Sequence, residues 1–116
     1  MDTITIDEFR KAEILIGKVL DCEKVEGADK LLKLEVDFGL STGSGSSRII
    51  RQIVSGIAEW YKPEDLIGKK LPFVVNLEPR TFKGTESQGM LLASEGIDGP
   101  VLLEPSKDVP EGSQIV

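Results

Sequence analysis

The sequence predicts an all-β fold, a small five-stranded Greek-key barrel with short helices and a C-terminal extension. Apolar residues recur with a period of two along several short segments, and glycine, proline and serine clusters separate these segments. The sequence lacks the alternation of strands with longer helices that builds a parallel sheet. Its 116 residues suffice for one domain with one modest core, and because only 5% are aromatic we expect a core of isoleucine, leucine and valine.

The first predicted element is a short helix that begins after Thr5. Residues 5–8, Thr-Ile-Asp-Glu, have the spacing of a capping box, in which threonine and glutamate bond each other's backbone N–H groups. We therefore expect a helix from Ile6 to about Arg10, with Ile6 and Phe9 turned inward.

Two strands joined by a tight turn follow. Residues 13–25 predict the first strand, and a phase change in its apolar alternation at Gly17 predicts a bulge there. Residues 25–29, Val-Glu-Gly-Ala-Asp, predict the turn. Residues 32–38 alternate apolar and charged side chains, which is typical of a strand with one buried face and places Asp37 on its solvent face.

A flexible connector rich in glycine and serine, residues 40–47, separates the second strand from a third at residues 48–54. Glycine-rich loops can bind phosphate, but no Gly-Lys-Ser/Thr element follows this one and no helix is predicted after it. We therefore exclude a phosphate-binding loop.

Two short helical turns are predicted next, at residues 57–61 and 63–67. A proline opens the second turn and Gly68 ends it. We interpret Trp60 and Tyr61 as packing residues rather than base-stacking residues, because the chain has so few other aromatic side chains for its core.

The last predicted strands lie on either side of a polar loop. Residues 70–77 predict a fourth strand, in which Pro72 marks an edge or a strand start because proline cannot donate to a ladder. Residues 90–93 predict a fifth strand, which we expect to pair with residues 101–104 across a turn at residues 96–99.

This order of elements is typical of one barrel type. Five short strands, with a small helical element after the third, indicate a Greek-key barrel of the oligonucleotide- and oligosaccharide-binding (OB) type. We expect a single domain over residues 1–116, with its core at about 12–94 and a C-terminal extension at about 95–116.

The loop at residues 76–90 is the candidate functional segment. Pro79 ends the fourth strand and Gly84 lets the chain turn back, which predicts a strand, a cationic turn, a polar tip and a strand. Binding residues concentrate on loops that a rigid scaffold holds. A solvated hairpin without function is the alternative that the residue types leave open.

Charge is distributed unevenly along the chain. The formal net charge of −6 argues on average against a nucleic-acid partner. Residues 48–84, however, hold 7 basic and 4 acidic residues, so positive charge is concentrated next to the candidate loop. Because phosphate binding depends on the potential within roughly 8–10 Å, this distribution allows a basic face on an acidic protein.

Several classes of site and location are excluded or disfavoured by composition. The chain has no histidine and one cysteine, Cys22, which excludes a Cys/His zinc site, a histidine-dependent triad and an internal disulfide. No carboxylate accompanies a recognisable nucleophile or metal motif, so we expect no catalytic activity, no cofactor and no metal. No apolar run is long enough for a transmembrane helix and the N-terminus lacks signal-peptide features, so we expect a cytoplasmic protein without membrane contact.

Residues 76–80, Asn-Leu-Glu-Pro-Arg, with Gly84 and residues 86–90, Glu-Ser-Gln-Gly-Met, resemble the signature of the tRNA-binding domain family. Three further segments are similar to it: residues 6–9, 25–34 and 54–58. That family occurs as a C-terminal appendage of methionyl-tRNA synthetases, as freestanding dimeric tRNA-binding proteins and in a cytokine-like eukaryotic relative. Four similar segments in the family's order cover nearly the whole chain.

The resemblance implies an OB-fold barrel that binds tRNA by shape, with little reading of nucleotide sequence. It also implies a homodimer, and methionyl-tRNA synthetase as a further partner if the domain is an appendage; a start at Met1 favours a freestanding protein. Its motif assigns tRNA contact to Ser87 and Met90, whereas we expect Asn76 to order the loop. The candidate RNA-binding residues are Lys30, Lys33, Arg51, Asn76, Arg80, Lys83, Ser87, Gln88 and Met90.

Glu78 departs from the family pattern, because many relatives have a lysine or a small residue there. Two other functions remain open. A dimeric secretion-type chaperone of the same fold family would bind unfolded polypeptide, and a generic OB module would bind another oligonucleotide or a sugar. RNA binding should weaken steeply with salt, whereas apolar peptide binding should not. For the dimer, apolar residues near the C-terminus offer a surface: Val101, Leu102, Leu103, Ile115 and Val116.

Overall fold

The computed structural model describes residues 1–40 and 47–116, and it confirms the all-β class. Nine strands and two short helices are described: α1 Ile6–Phe9, β1 Ile14–Val25, β2 Ala28–Leu40, β3 Arg48–Ser55, α2 Pro63–Leu66, β4 Lys70–Val74, β5 Arg80–Phe82, β6 Thr85–Ser87, β7 Met90–Leu91, β8 Ala93–Gly96 and β9 Gly99–Leu102. Five strands form a curled antiparallel sheet in the order β3-β2-β1-β4-β7, and β5–β6 and β8–β9 are separate hairpins. Neither helix is long enough to cross a membrane within the described ranges.

β1 is the central strand of the sheet and pairs with both β2 and β4. Its first part pairs with β4, from Ile14 opposite Val74 to Lys18 opposite Lys70, and its second part pairs with β2. The other edge of this first part of β1 forms hydrogen bonds with the C-terminal extension. Ile16 donates to the Ser113 carbonyl at 2.8 Å and accepts from Gly112 N–H at 2.7 Å.

The bulge of β1 lies at Leu20, where the register with β2 shifts, and not at Gly17 as predicted. Gly17 has a different role. A Cβ atom at this position would lie 2.6 Å from Cε1 of Phe38 and would also collide with Val36, so the glycine permits close packing between β1 and β2. A glycine where the apolar alternation changes phase can mark a bulge or a site of close packing, and only the position of the neighbouring strand distinguishes these two roles.

The core is aliphatic, as the composition predicts. Phe38 and Phe73 contribute an edge-to-face contact, with ring centroids 5.5 Å apart. The largest fully buried side chains come from every long strand and from α2: Val19, Leu32, Leu34, Val36, Ile53, Leu66, Leu71 and Phe73.

The capping box of α1 is confirmed, but the inward orientation of its apolar residues is wrong. Thr5 Oγ1 accepts from the Glu8 N–H, and Glu8 Oε1 accepts from the Thr5 N–H, both at 3.1 Å. Ile6 is nevertheless 60% exposed and Phe9 39% exposed, because this four-residue helix lies outside the barrel and packs no face against the core.

Asp37 is buried, although the alternation of β2 predicts it on the solvent face. Its carboxylate accepts from the Gly39 N–H at 2.8 Å and from Arg48 Nε at 2.7 Å. The buried charge is therefore paired, and the hydrogen bond to Asp37 is the main reason that the pKa of Arg48 is raised. The predicted connector at residues 40–47 lies largely outside the described residues.

The helical region between β3 and β4 follows the prediction. Tyr61 N–H donates to the Ile57 carbonyl at 3.0 Å, which closes one helical turn, and α2 is followed by Gly68 at φ 88°. Tyr61 packs against the core and its hydroxyl donates to the Pro100 carbonyl at 2.9 Å, whereas Trp60 is half-exposed beside Gly99.

The C-terminal pairing differs from the prediction. Met90–Leu91 pairs with β4, and the hairpin is formed by Ala93–Gly96 with Gly99–Leu102. Pro72 lies inside β4, opposite Ile16, and not at a strand start. Leu92 donates to the Pro72 carbonyl at 3.0 Å, but proline has no N–H to return, so the ladder between β4 and β7 ends there.

Gly17→Ala should lower the free energy of unfolding by about 1–3 kcal/mol, because the added methyl group overpacks the contact between β1 and β2. Urea denaturation of the purified protein measures the change. Gly56→Ala is the matched control, since nothing lies within 4 Å of a Cβ there, and it should change the free energy by less than about 1 kcal/mol. Equal stability of the two variants would contradict the packing role of Gly17.

Candidate functional site

The loop between β4 and β7 forms an arm, which we define as residues 76–90. Its outer part is the β5–β6 hairpin, with Arg80 opposite Ser87 and Phe82 opposite Thr85. Lys83 and Gly84 form the turn with φ angles of 52° and 79°, the left-handed backbone that two-residue hairpin turns require. Arg80 lies over the ring of Phe82, with its guanidinium carbon 4.9 Å from the centroid.

The base of the arm is bound to β3. Gln52 N–H donates to Gln88 Oε1 at 3.1 Å, and Gln88 N–H donates to the Gln52 carbonyl at 2.8 Å. The Gln52 side-chain amide donates to the Glu86 carbonyl at 2.8 Å. Gln52 therefore holds the arm at two residues, 86 and 88.

Ser87 is buried in this seam and is only 3% exposed. Its hydroxyl accepts from the Val54 N–H at 2.9 Å and donates to the Gly89 carbonyl at 2.8 Å. The first hydrogen bond joins the arm to β3, and the second fixes the backbone of the arm itself at Gly89. In this conformation a partner molecule cannot reach the hydroxyl, so the arrangement favours a positioning role for Ser87 over the tRNA contact that the motif implies.

Arg51 and Asn76 hold the start of the arm. The Arg51 guanidinium donates to the Val75 carbonyl. Asn76 Oδ1 accepts from the Glu13 N–H at 2.7 Å, and its amide donates to the Lys11 carbonyl at 2.6 Å. Asn76 thus orders the chain, as expected, but through backbone far away in sequence rather than through neighbouring residues.

Of the nine predicted residues Ser87 alone is buried, and the side chains of five others make no hydrogen bond that holds the arm to the sheet within the described ranges. Arg80, Lys83 and Met90 lie on the outside of the arm. Lys30 and Lys33 lie on β2, where Lys30 pairs with Glu59 at 3.8 Å and Lys33 Nζ lies 2.7 Å from Glu23 Oε1. That hydrogen bond to Glu23 raises the pKa of Lys33.

A groove of about 340 Å³ lies between β2, β3 and the arm. Lys33, Arg51 and Gln88 line it, so the structure brings together three predicted residues from separate segments. Three carboxylates line the same groove, those of Asp21, Glu23 and Glu35. The groove therefore holds more acidic than basic side chains, which was not evident from the positive charge of residues 48–84.

Sequence reasoning missed two residues that shape the arm, Gln52 and Gly89. Gly89 has φ 154°, and a Cβ atom there would lie 2.8 Å from the Val74 carbonyl oxygen and 3.2 Å from Ile53 Cδ1. Gly89 belongs to the segment that resembles the family signature, and its place between a polar motif and an apolar strand was a second signal for it. Gln52 gave no signal, because a glutamine inside a strand looks like an ordinary surface residue.

Comparisons with known proteins agree on one family. Residues 14–114 match the model of the putative tRNA binding domain. The chain is 46% identical over 115 residues to methionine–tRNA ligase of Caldanaerobacter subterraneus and 46% identical over 113 residues to that of Bacteroides fragilis. These alignments cover 99% and 97% of the chain but only 17% and 16% of the ligases, so the chain spans about a sixth of these curated relatives.

Solved structures share the fold. A MetRS-related protein from Pyrococcus horikoshii matches with a TM-score of 0.88 and 43% identity, over 100% of both chains. The chaperone CsaA from Bacillus anthracis matches with a TM-score of 0.81 and 28% identity, over 99% of this chain and 100% of that chain. CsaA from Picrophilus torridus matches with a TM-score of 0.84 and 29% identity, over 98% and 100%.

Ser87→Ala should destabilise the protein by about 1–3 kcal/mol, because it leaves the Val54 N–H and the Gly89 carbonyl without their partner inside the seam. Chemical denaturation followed by fluorescence of the single tryptophan measures the change.

Ser94→Ala, in the exposed hairpin β8–β9, is the matched control and should stay within about 0.5 kcal/mol of the unmodified protein. If Ser87→Ala proves as stable as this control, the hydroxyl does not support the seam and a direct contact role for Ser87 is restored.

Proposed function

The chain belongs to the putative tRNA-binding domain family, and from that premise we propose that it binds tRNA by shape without catalysing a reaction. The family match over residues 14–114 is the observation that carries the proposal. The similarity to two methionine–tRNA ligases along a sixth of their length fits a non-catalytic module. Such a module acts either alone or joined to a synthetase, and in both cases we place it in the cytoplasm with the translation machinery.

The arm divides the candidate residues into two roles. Arg80, Lys83 and Met90 are exposed, and we assign contact with tRNA to them. Arginine can bind a phosphate through two parallel hydrogen bonds, lysine supplies a point charge, and a thioether packs against a base or ribose. Arg51, Asn76, Ser87 and Gln88 position the arm through the hydrogen bonds described above.

The backbone of Lys83 supports its assignment to binding. Left-handed φ angles cost residues with a Cβ roughly 1–2 kcal/mol, and glycine or asparagine is preferred in such turns. A lysine at this position places an ammonium group at the tip of the hairpin despite the strain. Strained backbone of this kind concentrates at functional sites.

Lys30 and Lys33 are assigned a secondary role in tRNA binding. Each is paired with a glutamate in the free protein, and exposed ion pairs of this kind contribute roughly 0–1 kcal/mol. Phosphate can therefore replace Glu23 beside Lys33 at little cost. Lys33 lies in the groove at the base of the arm, whereas Lys30 is outside it.

The test of tRNA binding uses Glu78, an exposed carboxylate at the start of the arm. At a few ångströms in solvent a carboxylate weakens phosphate binding by roughly 1 kcal/mol. Glu78→Lys should therefore tighten the binding of mixed elongator tRNA several-fold at low salt. It should also steepen the log–log dependence of affinity on salt by roughly 0.7–0.9, the value for one released counterion.

The matched control is Asp98→Lys, which makes the same change of net charge at the exposed β8–β9 turn. It should raise affinity much less, because screening in salt limits the effect of a distant charge. A gel shift against duplex DNA of similar length belongs to the same experiment. If tRNA binds no better than the duplex, or if both lysine variants behave alike, the arm is not a tRNA-binding surface.

Chaperone activity is the second candidate, favoured by the similarity to the two CsaA chaperones at 28% and 29% identity. Titration with an unfolded polypeptide at two salt concentrations distinguishes the two functions. Binding through apolar burial should keep its affinity as salt rises, and Glu78→Lys should leave it unchanged. A protein that binds polypeptide in this way and shows no salt-dependent tRNA binding would act as a chaperone.

We further propose that the protein is a homodimer. Val101, Leu103, Ile115 and Val116 are exposed, and Leu102 is half-buried. Two of them, Leu103 and Ile115, line an apolar groove of about 400 Å³, together with Ile14, Ile16, Pro72, Leu92, Glu104, Pro105, Val109, Ser113 and Gln114. Contiguous apolar surface of this kind on a small domain marks an interaction site, and a second copy of the chain supplies a self-complementary partner.

Sedimentation at micromolar concentration should give a mass near twice 12.6 kDa. Leu103→Asp should shift the equilibrium toward monomer, because it introduces a charge into the apolar surface. Ile97→Asp is the matched control, since Ile97 is fully exposed at the tip of the β8–β9 turn. A monomeric unmodified protein, or equal dimer stability in both variants, would exclude this surface as the dimer interface.

A further inference from the structure

A third groove, of about 480 Å³, lies away from the arm and is lined by four lysines: Lys18, Lys69, Lys70 and Lys107. We call it the lysine groove. Three separate parts of the chain supply them. Lys18 lies on β1 opposite Lys70 of β4, and Lys107 belongs to the C-terminal extension. Four like charges from distant segments repel one another unless anions compensate them.

Carboxylates of the extension supply part of that compensation. Lys69 Nζ lies 3.4 Å from Glu104 Oε1, and Lys70 Nζ lies 2.7 Å from Asp108 Oδ1. The hydrogen bond to Lys70, followed by the charges of Lys70 and Lys18, lowers the pKa of Asp108. These carboxylates therefore occupy, in the free protein, positions where anionic oxygens are stabilised.

The two carboxylates are more exposed to solvent than groups that hold a fold together usually are. The side chain of Asp108 is 86% exposed, whereas that of Lys70 is 19% exposed and also donates to the Val109 carbonyl at 2.6 Å. The hydrogen bond from the Lys70 side chain to the Val109 carbonyl therefore holds the extension independently of Asp108. Within residues 1–40 and 47–116, Lys18 and Lys107 have no carboxylate within 4.0 Å, so their charge is available to an external anion.

The balance of charge differs between the lysine groove and the groove at the base of the arm. The groove at the base of the arm has three carboxylates and two cations, Lys33 and Arg51. The lysine groove has four lysines against two lining carboxylates, and a third carboxylate, that of Glu111, lies 3.9 Å from Lys70 Nζ. Because local potential decides phosphate binding, the lysine groove is the better surface for a polyanion in a protein of net charge −6.

β4 connects the lysine groove to the arm. Lys70 is its first residue and the arm begins shortly after Val74, its last. A five-residue strand spans about 17 Å, a distance that several consecutive phosphates of one RNA strand cover. A single RNA can therefore reach both surfaces.

We propose that the lysine groove is a second phosphate-binding surface for tRNA, in which Glu104 and Asp108 take the place of phosphate in the free protein. The proposal rests on the proposed tRNA-binding function and extends it to a surface outside the arm. RNA phosphates displace the two exposed carboxylates, and Lys18 and Lys107 supply charge that no carboxylate within 4.0 Å pairs in the described part of the chain.

The test measures tRNA affinity and its salt dependence for Lys107→Ser and for the double variant Lys18→Ser/Lys107→Ser. Loss of one phosphate contact should weaken binding about five-fold at low salt and reduce the log–log salt slope by roughly 0.7–0.9, with a larger loss in the double variant. Lys62→Ser, at an exposed lysine next to α2, is the matched control and should have a much smaller effect. Thermal unfolding verifies that each variant is folded.

Removing a competing carboxylate should have the opposite effect. Glu104→Gln should tighten tRNA binding about two- to five-fold at low salt, and Glu95→Gln, the same chemical change on β8, should not. A gain of affinity cannot result from unfolding, so this variant separates a binding role from a structural one.

The outcomes distinguish the two proposals. If the unmodified protein fails to bind tRNA, the proposed function is wrong and the lysine groove proposal falls with it. If the unmodified protein binds tRNA but the Lys107 and Lys18 variants match Lys62→Ser, and Glu104→Gln matches Glu95→Gln, the lysine groove alone is excluded. In that case the arm remains the tRNA-binding surface.

Discussion

The seam between β3 and the arm is the contact on which the position of the candidate site depends. β3 and β7 are the outer strands of the five-stranded sheet, and such edges are exposed to pairing with other chains. Here Gln52 and Val54 of β3 bond Gln88 and Ser87 instead, so side chains as well as backbone close the gap. The buried Ser87 hydroxyl bonds β3 on one side and the backbone of the arm on the other, so the arm is held more firmly than a solvated loop would be. The exposed cations of the arm therefore project from a rigid base.

The sequence predicted elements better than it predicted what their polar residues do. Strand periods, the capping box and the turn glycines are local signals, and the corresponding elements are present. The role of Ser87 depends on Val54, and that of Asn76 on Glu13, and a pattern of residue types reveals donors without revealing such distant partners. Asp37 and Gly17 illustrate the same limit. The burial of Asp37 depends on Arg48 of β3, and the close packing at Gly17 depends on the side chains of β2.

Net charge is a poor guide to the electrostatics of this molecule. The cations of the central segment separate in the fold: Arg51, Arg80 and Lys83 remain with the arm, whereas Lys69 and Lys70 join Lys18 near the extension. Arg48 instead compensates the buried carboxylate of Asp37 and lies 3.8 Å from Glu111. Six of the seven basic residues of segment 48–84 thus lie on two surfaces and in one ion pair with a buried carboxylate. An acidic protein can in this way present basic surfaces where they are needed.

The position of the extension on β1 also has a consequence for biosynthesis. Gly112, Ser113 and Ile115 complete an edge of a strand that begins at Ile14, so the two halves of this ladder leave the ribosome far apart in time. Until then the edge of β1 is unpaired, and unpaired strand edges on a nascent chain are sites of aggregation. Contacts between such distant segments also slow folding, because a long loop must close before they form. The barrel can therefore reach its final state only after translation has delivered the extension.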